Sequence, residues 1–300
     1  MSFLIALLKL PFFLLLEVFY FIFRCRPQKD IKNQHILITG AGQGIGEQFA
    51  RQFAAMGNTV HCVDIEEKLV QNVVEELKGQ GYQAYSYTCD LTKHEQVQAL
   101  YDDITGAGFV INILVNNAGV VFMREIQDMT LTQIQHSMTV NIIANLWLIK
   151  LFLPKMLELN EGHVVNIASL AGMFPLRHAT DYCAAKAASI HALNQLRVDL
   201  IKTKIKFTAV CPSFVNTKMI AGIDPKKLNA ISAEALVRIA ICGIRENKEV
   251  IVVPGIFRLL KVIHDLSPTY LIGATKKVLT RGNKPKTIHF VGQRMSEKIQ

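Results

Sequence analysis

From residue 35 onward, short apolar and β-branched runs alternate with longer stretches whose apolar positions recur every three or four residues. The short runs predict strands at 35–39 (HILIT), 59–64 (TVHCVD), 83–89 (QAYSYTC), 111–117 (INILVNN), 163–169 (HVVNIAS), 205–212 (IKFTAVCP) and 249–254 (EVIVVP). The longer stretches predict helices at 45–56, 66–79, 93–105, 131–158, 181–203 and 232–245. Strands that are apolar nearly throughout bury both faces, so seven of them with helical crossovers require a parallel sheet covered on both sides. The pattern therefore predicts one doubly wound α/β domain over residues 35–255.

The first residues break this pattern. Residues 3–23, FLIALLKLPFFLLLEVFYFIF, form a run about long enough to cross a bilayer, interrupted by Lys9, Pro11 and Glu17. The apolar stretch is too long for a cleaved leader and no small-residue cleavage site follows. Residues 1–25 are accordingly read as a hydrophobic membrane anchor, spanning or lying in one leaflet, and 26–34 as a basic linker. The cluster RCRPQKDIK directly after the anchor places the following domain on the cytosolic side. Removing residues 1–25 should release the protein to the soluble fraction.

Charge reinforces this division. The formal +9 splits into five Lys/Arg against two Asp/Glu in residues 1–32, nineteen against twenty in 33–254, and nine against two in 255–300. The basic excess lies at the two ends beside apolar sequence, which favours anionic lipid over nucleic acid as the partner. Residues 256–300 form a basic amphipathic appendix; its part 255–281 suits a surface-lying membrane contact, with oligomer packing as the rival reading. The six cysteines include no CxxC pair, as expected for reduced thiols of a cytosol-facing domain. Cys25, between Arg24 and Arg26 at the edge of the apolar segment, is a candidate for S-acylation.

Chemistry enters at two places. The run TGAGQGIG, Thr39 to Gly46, follows a strand and opens a helix. Gly40, Gly44 and Gly46 let backbone turn tightly against a pyrophosphate, and the helix amino terminus supplies N–H donors. The spacing is Gly-x3-Gly-x-Gly rather than the Gly-x-Gly-x2-Gly of the standard fingerprint. Asp64 ends the second strand, where a carboxylate accepts ribose hydroxyls and repels a 2′-phosphate. With no Arg or Lys in the glycine loop and Glu66 and Glu67 following, NAD is expected over NADP. Capping of the next helix is the alternative role for Asp64. Asp90, after the third strand, either faces adenine or caps helix 93–105.

The second place is YCAAK. Tyr182 and Lys186 stand one helical turn apart on one face. A phenol is a poor base near neutrality, and an adjacent ammonium is expected to lower its pKa. Ser169, at a strand end thirteen residues upstream, can hold the same substrate oxygen. The YxxxK spacing arises by chance in many helices; its place after a strand ending in Ser gives it weight. Tyr182 would exchange the alcohol proton while Lys186 tunes it and grips the nicotinamide ribose.

Through TGAGQGIG, NNAG (116–119), Asn141, Ser169 and YCAAK, the chain resembles the short-chain dehydrogenase/reductases over roughly residues 35–255. The resemblance implies a Rossmann-like domain with Asn141, Ser169, Tyr182 and Lys186 as the catalytic set, Asn141 holding a water in a relay with Lys186. It implies that Asn117, Ala118 and Gly119 line the adenosine–ribose site and that Pro212, Val215 and Thr217 contact the nicotinamide carboxamide. Gln43 and Ile45 in the glycine loop, and Leu91 beside Asp90, complete the implied cofactor set. Ser213 departs from the family's usual glycine. The amino terminus, VDI (63–65), NNAGVV (116–121) and CPSFVNT (211–217) are similar to a membrane-associated branch that includes 17β-hydroxysteroid and retinal short-chain dehydrogenases. That likeness implies a lipophilic alcohol or ketone (steroid, retinoid or fatty alcohol) met at an endoplasmic-reticulum or lipid-droplet surface. Family habit implies a homodimer through helices 131–158 and 181–203. An NADP-linked carbonyl reductase and a non-catalytic lipid-droplet protein are the rival readings.

Two further expectations follow. His163, His178 and His191 have no metal-like spacing and are read as ordinary hydrogen-bonded histidines. Met219, Ile220, Ile223 and Leu228 would form an apolar lid after the nicotinamide loop, with plain helix packing as the alternative.

Overall fold

The computed structural model describes residues 27–220, 224 and 228–266. The anchor at 1–25 with Cys25, lid residue Ile223 and the chain beyond 266 lie outside the described residues.

Seven strands, β1 (His35–Thr39), β2 (Thr59–Asp64), β3 (Ala84–Thr88), β4 (Ile113–Asn116), β5 (His163–Ile167), β6 (Lys206–Pro212) and β9 (Val250–Val253), form one sheet in the order β3-β2-β1-β4-β5-β6-β9. Every pairing is parallel. Helices α1 (Gly44–Ala55), α2 (Glu67–Gly79) and α7 (Ala233–Arg245) belong to one side; α3 (His94–Gly106), α5 (Ala144–Leu159) and α6 (Thr180–Asp199) belong to the other. Strand alternation feeds both layers. Ile36 and Ile38 of β1 pack with Phe49, Phe53 and Leu236, whereas Leu37 packs with Leu148 and Phe152. A small parallel pair not anticipated from sequence, β7 (Val215–Asn216) and β8 (Ile231–Ser232), follows β6, and α8 (Ile256–Leu266) follows β9.

The long helix expected at 131–158 is divided. Helix α4 (Leu131–Met138) opens with a reciprocal cap between Thr130 and Gln133, a π-helical turn spans Thr139–Ile143, and α5 continues. By length and composition, Leu131–Leu159 is the one stretch among the described residues apolar enough to cross a bilayer, yet half of it is buried. Leu148, Ile149, Phe152 and Met156 pack on the sheet, so it is a core helix. The stretch read as linker is partly docked: Ile31 is buried in the core, and the Lys29 N–H donates to the Arg245 carbonyl at 2.8 Å.

Sheet order reverses between β1 and β4, which opens a crevice beyond their carboxyl ends. Both chemical motifs lie at that end of the sheet.

Candidate active site

The glycine loop is fitted to β4 by the absence of side chains. Gly40 and Gly44 have φ of +63° and +62°, the left-handed region that glycine enters without penalty. A Cβ on Gly46 would lie 2.1 Å from the Gly40 carbonyl oxygen and 2.6 Å from Asn117 Nδ2, so only glycine lets α1 start this close to β1. Asn117 braces the loop: its Nδ2 donates to the Thr39 and Gly40 carbonyls at 2.8 and 3.1 Å. The Asn117 and Ala118 N–H groups both donate to Thr39 Oγ1. Thr217, from the loop after β6, comes within 3.3 Å of where a Gly44 Cβ would be. Pro212 ends β6 and Val215 is buried, so the β6 loop closes on the glycine loop. Ser213 is absent from the left-handed residues among those described, so its departure from glycine strains nothing.

Asp64 does two jobs. Its Oδ2 accepts from the Gly42 N–H at 2.8 Å and its Oδ1 from the Glu66 N–H at 3.1 Å. These contacts brace the glycine loop and close an Asx turn; α2 is capped by Glu66 with no side-chain bond, so the capping role set against ribose binding is not met, and each Asp64 oxygen retains acceptor capacity. Asp90 is drawn into its own turn, its Oδ1 accepting from both the Thr92 N–H and the Thr92 hydroxyl. Leu91 is buried among core side chains and Ile45 packs against the core. Two features of the loop suit a dinucleotide: α1 begins with no side-chain cap, and Gln43 Oε1 is buried without a hydrogen-bond partner among the described residues.

At the carboxyl end of β5, Ser169 Oγ accepts from the Ala171 N–H at 3.1 Å, starting a 3-10 turn over Leu170–Gly172. Tyr182, in the first turns of α6, is hydrogen-bonded to the Ser169 side chain. Lys186 Nζ lies 5.6 Å from the Tyr182 ring centroid and donates to the Ile167 carbonyl at 2.9 Å. A Cβ on Gly119 would stand 3.0 Å from Asn141 Oδ1 and 3.4 Å from Lys186 Nζ, so the NNAG glycine brings these two groups together. Asn141 falls in the π turn, and its Nδ2 donates to the Val120 and Ser137 carbonyls.

Burial sets the electrostatics. It pushes the Tyr182 phenol up to about 12, against the Ser169 hydrogen bond, and pulls the Lys186 ammonium down to about 8, against the neighbouring Cys211. The expectation that Lys186 depresses Tyr182 is therefore not met in the protein alone. Both groups are drawn to their neutral forms by loss of water, and the ammonium is spent on a carbonyl. The linkage is explicit: between pH 8 and 10.5 the unfolded chain binds the proton that folded Lys186 has released, so stability rises with pH across that window. Lys186→Met should raise the Tm at pH 7 by about 5 °C, the relief of a buried charge less one hydrogen bond. In thermal melts at several pH values that advantage should shrink as pH climbs through the same window.

Several site residues were not foreseen. Gly172 is one: its Cβ would fall 2.7 and 2.8 Å from the carbonyl carbon and oxygen of Lys186, so glycine lets the Ser169 turn rest on α6. A buried polar chain is another: Asn116 Nδ2 donates to Asn166 Oδ1 at 2.9 Å, and Asn166 Nδ2 to Ser189 Oγ at 3.1 Å, tying β4 and β5 to α6. Around Tyr182, Val121 and Met123 after β4 and Leu228 and Ala230 before β8 make an apolar wall. Of the expected lid, Leu228 packs in the same cluster as Tyr182, around Val121, while Lys218–Ile220 is a single 3-10 turn. None of these could have been read locally, because each is a contact between separate elements.

The remaining calls concern thiols and imidazoles. Cys62, Cys89 and Cys211 are buried free thiols, Cys183 is half-buried and Cys242 is exposed. His163 is fully buried between Lys29 Nζ and Thr208 Oγ1 at 2.9 and 2.8 Å; His178 pairs with Glu125 at 3.4 Å, and His191 is exposed.

Comparison with known proteins agrees with this geometry. The family model for short chain dehydrogenase matches residues 34–228. Estradiol 17-beta-dehydrogenase 11 of Macaca fascicularis is 31% identical, covering 91% of this chain and 92% of its own. Epidermal retinol dehydrogenase 2 of Mus musculus is 31% identical, with 84% of each chain covered. In three dimensions, a short chain dehydrogenase/reductase from Burkholderia phymatum in complex with NAD superposes with a TM-score of 0.73 at 22% identity, over 86% of this chain and 99% of that one; another chain of this fold was solved with NADP. The chain belongs to the short-chain dehydrogenase/reductase family and is an oxidoreductase of the Rossmann-like fold.

Proposed function

We propose that this protein is an NAD-dependent dehydrogenase that interconverts a lipophilic alcohol, of the steroid or retinol class, with its ketone or aldehyde at a membrane or lipid-droplet surface. The observation that carries the reading is the meeting of Ser169, Tyr182 and Lys186 beside an apolar wall of Val121, Met123 and Leu228. The names of the steroid and retinol relatives support the substrate class.

Ser169 Oγ and Tyr182 Oη share the substrate oxygen, orienting the carbinol carbon. Tyr182 takes the hydroxyl proton during oxidation and returns it during reduction. Lys186, next to Asn141, is placed to pass that proton on and to hold ribose hydroxyls. The apolar wall excludes water from the reacting carbon. Bound NAD supplies the hydride acceptor; Gly40, Gln43, Gly44, Asp64, Asn117 and Thr217 would hold it, with the α1 amino terminus at its pyrophosphate. A homodimer through α5 and α6 and a cytosol-facing domain on the endoplasmic reticulum remain part of the proposal.

Retinoids, steroids and fatty alcohols presented in liposomes, with NADH formation as the readout, test the reaction. Lower KM with NADP than with NAD would overturn the cofactor assignment. Asp64→Ser should cut kcat/KM for NAD by about 10- to 100-fold, the worth of charge-assisted ribose hydrogen bonds. The same change should lower the Tm, because the buried Gly42 N–H loses its acceptor.

A further inference from the structure

We infer that the rim of the substrate cleft is a lipid-docking face, formed by α8 and seated on an anionic membrane or monolayer surface. The inference rests on the lipophilic-substrate reading and adds where the lipid lies relative to Tyr182. Because all seven strands run parallel, α8, which starts just past β9, lies at the same end of the sheet as Ser169 after β5 and Pro212 of β6. One face of α8 is occupied: the Phe257 ring packs edge-on against Phe174, 6.1 Å away, in the loop that follows Ser169. The other face presents Ile256, Leu259 and Leu260, which are 58%, 57% and 43% exposed. They recur at i, i+3 and i+4 and so form one stripe. Phe214 and Met219, exposed in the β6 loop, extend apolar surface across the same end of the molecule. Single exposed apolar residues need no explanation, whereas a continuous patch at a cleft mouth marks a contact.

Charge selects the occupant. Arg258 is exposed within the stripe's helix, and residues 255–300 carry nine Lys/Arg against two Asp/Glu. A helix with an apolar stripe on one side and Arg258 on the other matches an interfacial helix lying in an anionic headgroup layer. A second copy of this chain would bring two Arg258-bearing helices together. The contact is also separate from the amino-terminal anchor. The chain enters the described fold at the opposite end of the strands, where Lys29 is held by Arg245 and by His163, the first residue of β5.

The test uses the full chain in a Cys25→Ser, Cys183→Ser and Cys242→Ser background with an environment-sensitive dye on Leu260→Cys and, as control, on Glu75→Cys of α2. Vesicles of phosphatidylcholine with phosphatidylserine should shift the residue-260 dye to the blue and expose it to lipid-borne quenchers, leaving the residue-75 dye unchanged. Dye at residue 260 that stays in water with these vesicles overturns the proposal, as does protection without vesicles that grows with protein concentration. Equal protection by pure phosphatidylcholine overturns the choice of an anionic surface. Because the dye reports whether or not any alcohol is turned over, loss of the reaction and loss of docking are separate results. On vesicle-dissolved substrate, Leu259→Glu with Leu260→Glu should raise KM about tenfold with kcat unchanged.

Discussion

Tyr182→Phe should lower NAD-linked alcohol oxidation by about 1,000-fold, the middle to upper part of what a positioned acid–base group supplies. The fold should not notice. The phenylalanine ring fills the same place against Val121 and Leu228, and Ser169 Oγ keeps the Ala171 N–H as a partner. Melting temperature and cofactor affinity should therefore stay close to wild type, which separates loss of a proton carrier from loss of structure. The pH dependence sharpens the test. With burial holding the Tyr182 phenol near 12, oxidation by the wild type should accelerate as pH rises through the alkaline range, because the deprotonated form gains population. Carbonyl reduction, which needs the protonated phenol, should stay level until the pH nears 12 and fall only there, and the residual rate of the variant should be flat in both directions. Equal turnover by wild type and variant would defeat the mechanism.

Gly46→Ala should act through the fold instead. The added methyl would meet backbone, the Gly40 carbonyl oxygen at 2.1 Å, and backbone cannot step aside as a flexible side chain can. Forcing a methyl into a close-packed site costs about 3 kcal/mol at the upper end of the common range, equivalent to a fall of roughly 6–12 °C in Tm for a domain of this size. The displaced α1 amino terminus and the broken Asn117 brace should also abolish saturable NADH binding by fluorescence. Retention of both Tm and binding would mean that the loop does not need glycine there. Gly44→Ala makes an instructive contrast. Its Cβ would stand 3.3 Å from the Thr217 methyl, a tight contact with a side chain rather than with backbone, so its cost comes chiefly from the left-handed backbone.

Much of the molecule was legible in one dimension because its determinants are local or periodic. Strands buried on both faces read as apolar runs, and all seven expected strands form the parallel sheet. The strand–glycine–helix order of TGAGQGIG and the i, i+4 pair Tyr182–Lys186 are properties of a few consecutive residues. The family motifs single out Ser169 and Asn141 from sequence, and the fold brings them beside Tyr182 and Lys186. A dipeptide such as Asn116–Asn117 is different. Its two amides look alike in sequence, yet one braces the glycine loop and the other bonds Asn166 across the sheet.

The amino-acid sequence by itself determined the layering of the fold, the strand–glycine–helix loop and the pairing of Tyr182 with Lys186 on one helix face, since each follows from spacing along one or two elements. The tertiary structure alone decided how those groups behave. It placed Tyr182 and Lys186 where burial outweighs their mutual field, gave Asp64 the Gly42 and Glu66 N–H groups to hold, and put Gly172 against the backbone of Lys186. It also joined Val121 and Leu228, more than a hundred positions apart, into the wall beside Tyr182. Desolvation, close packing and long-range contact depend on what the chain brings together in space, and no window along the sequence contains both partners.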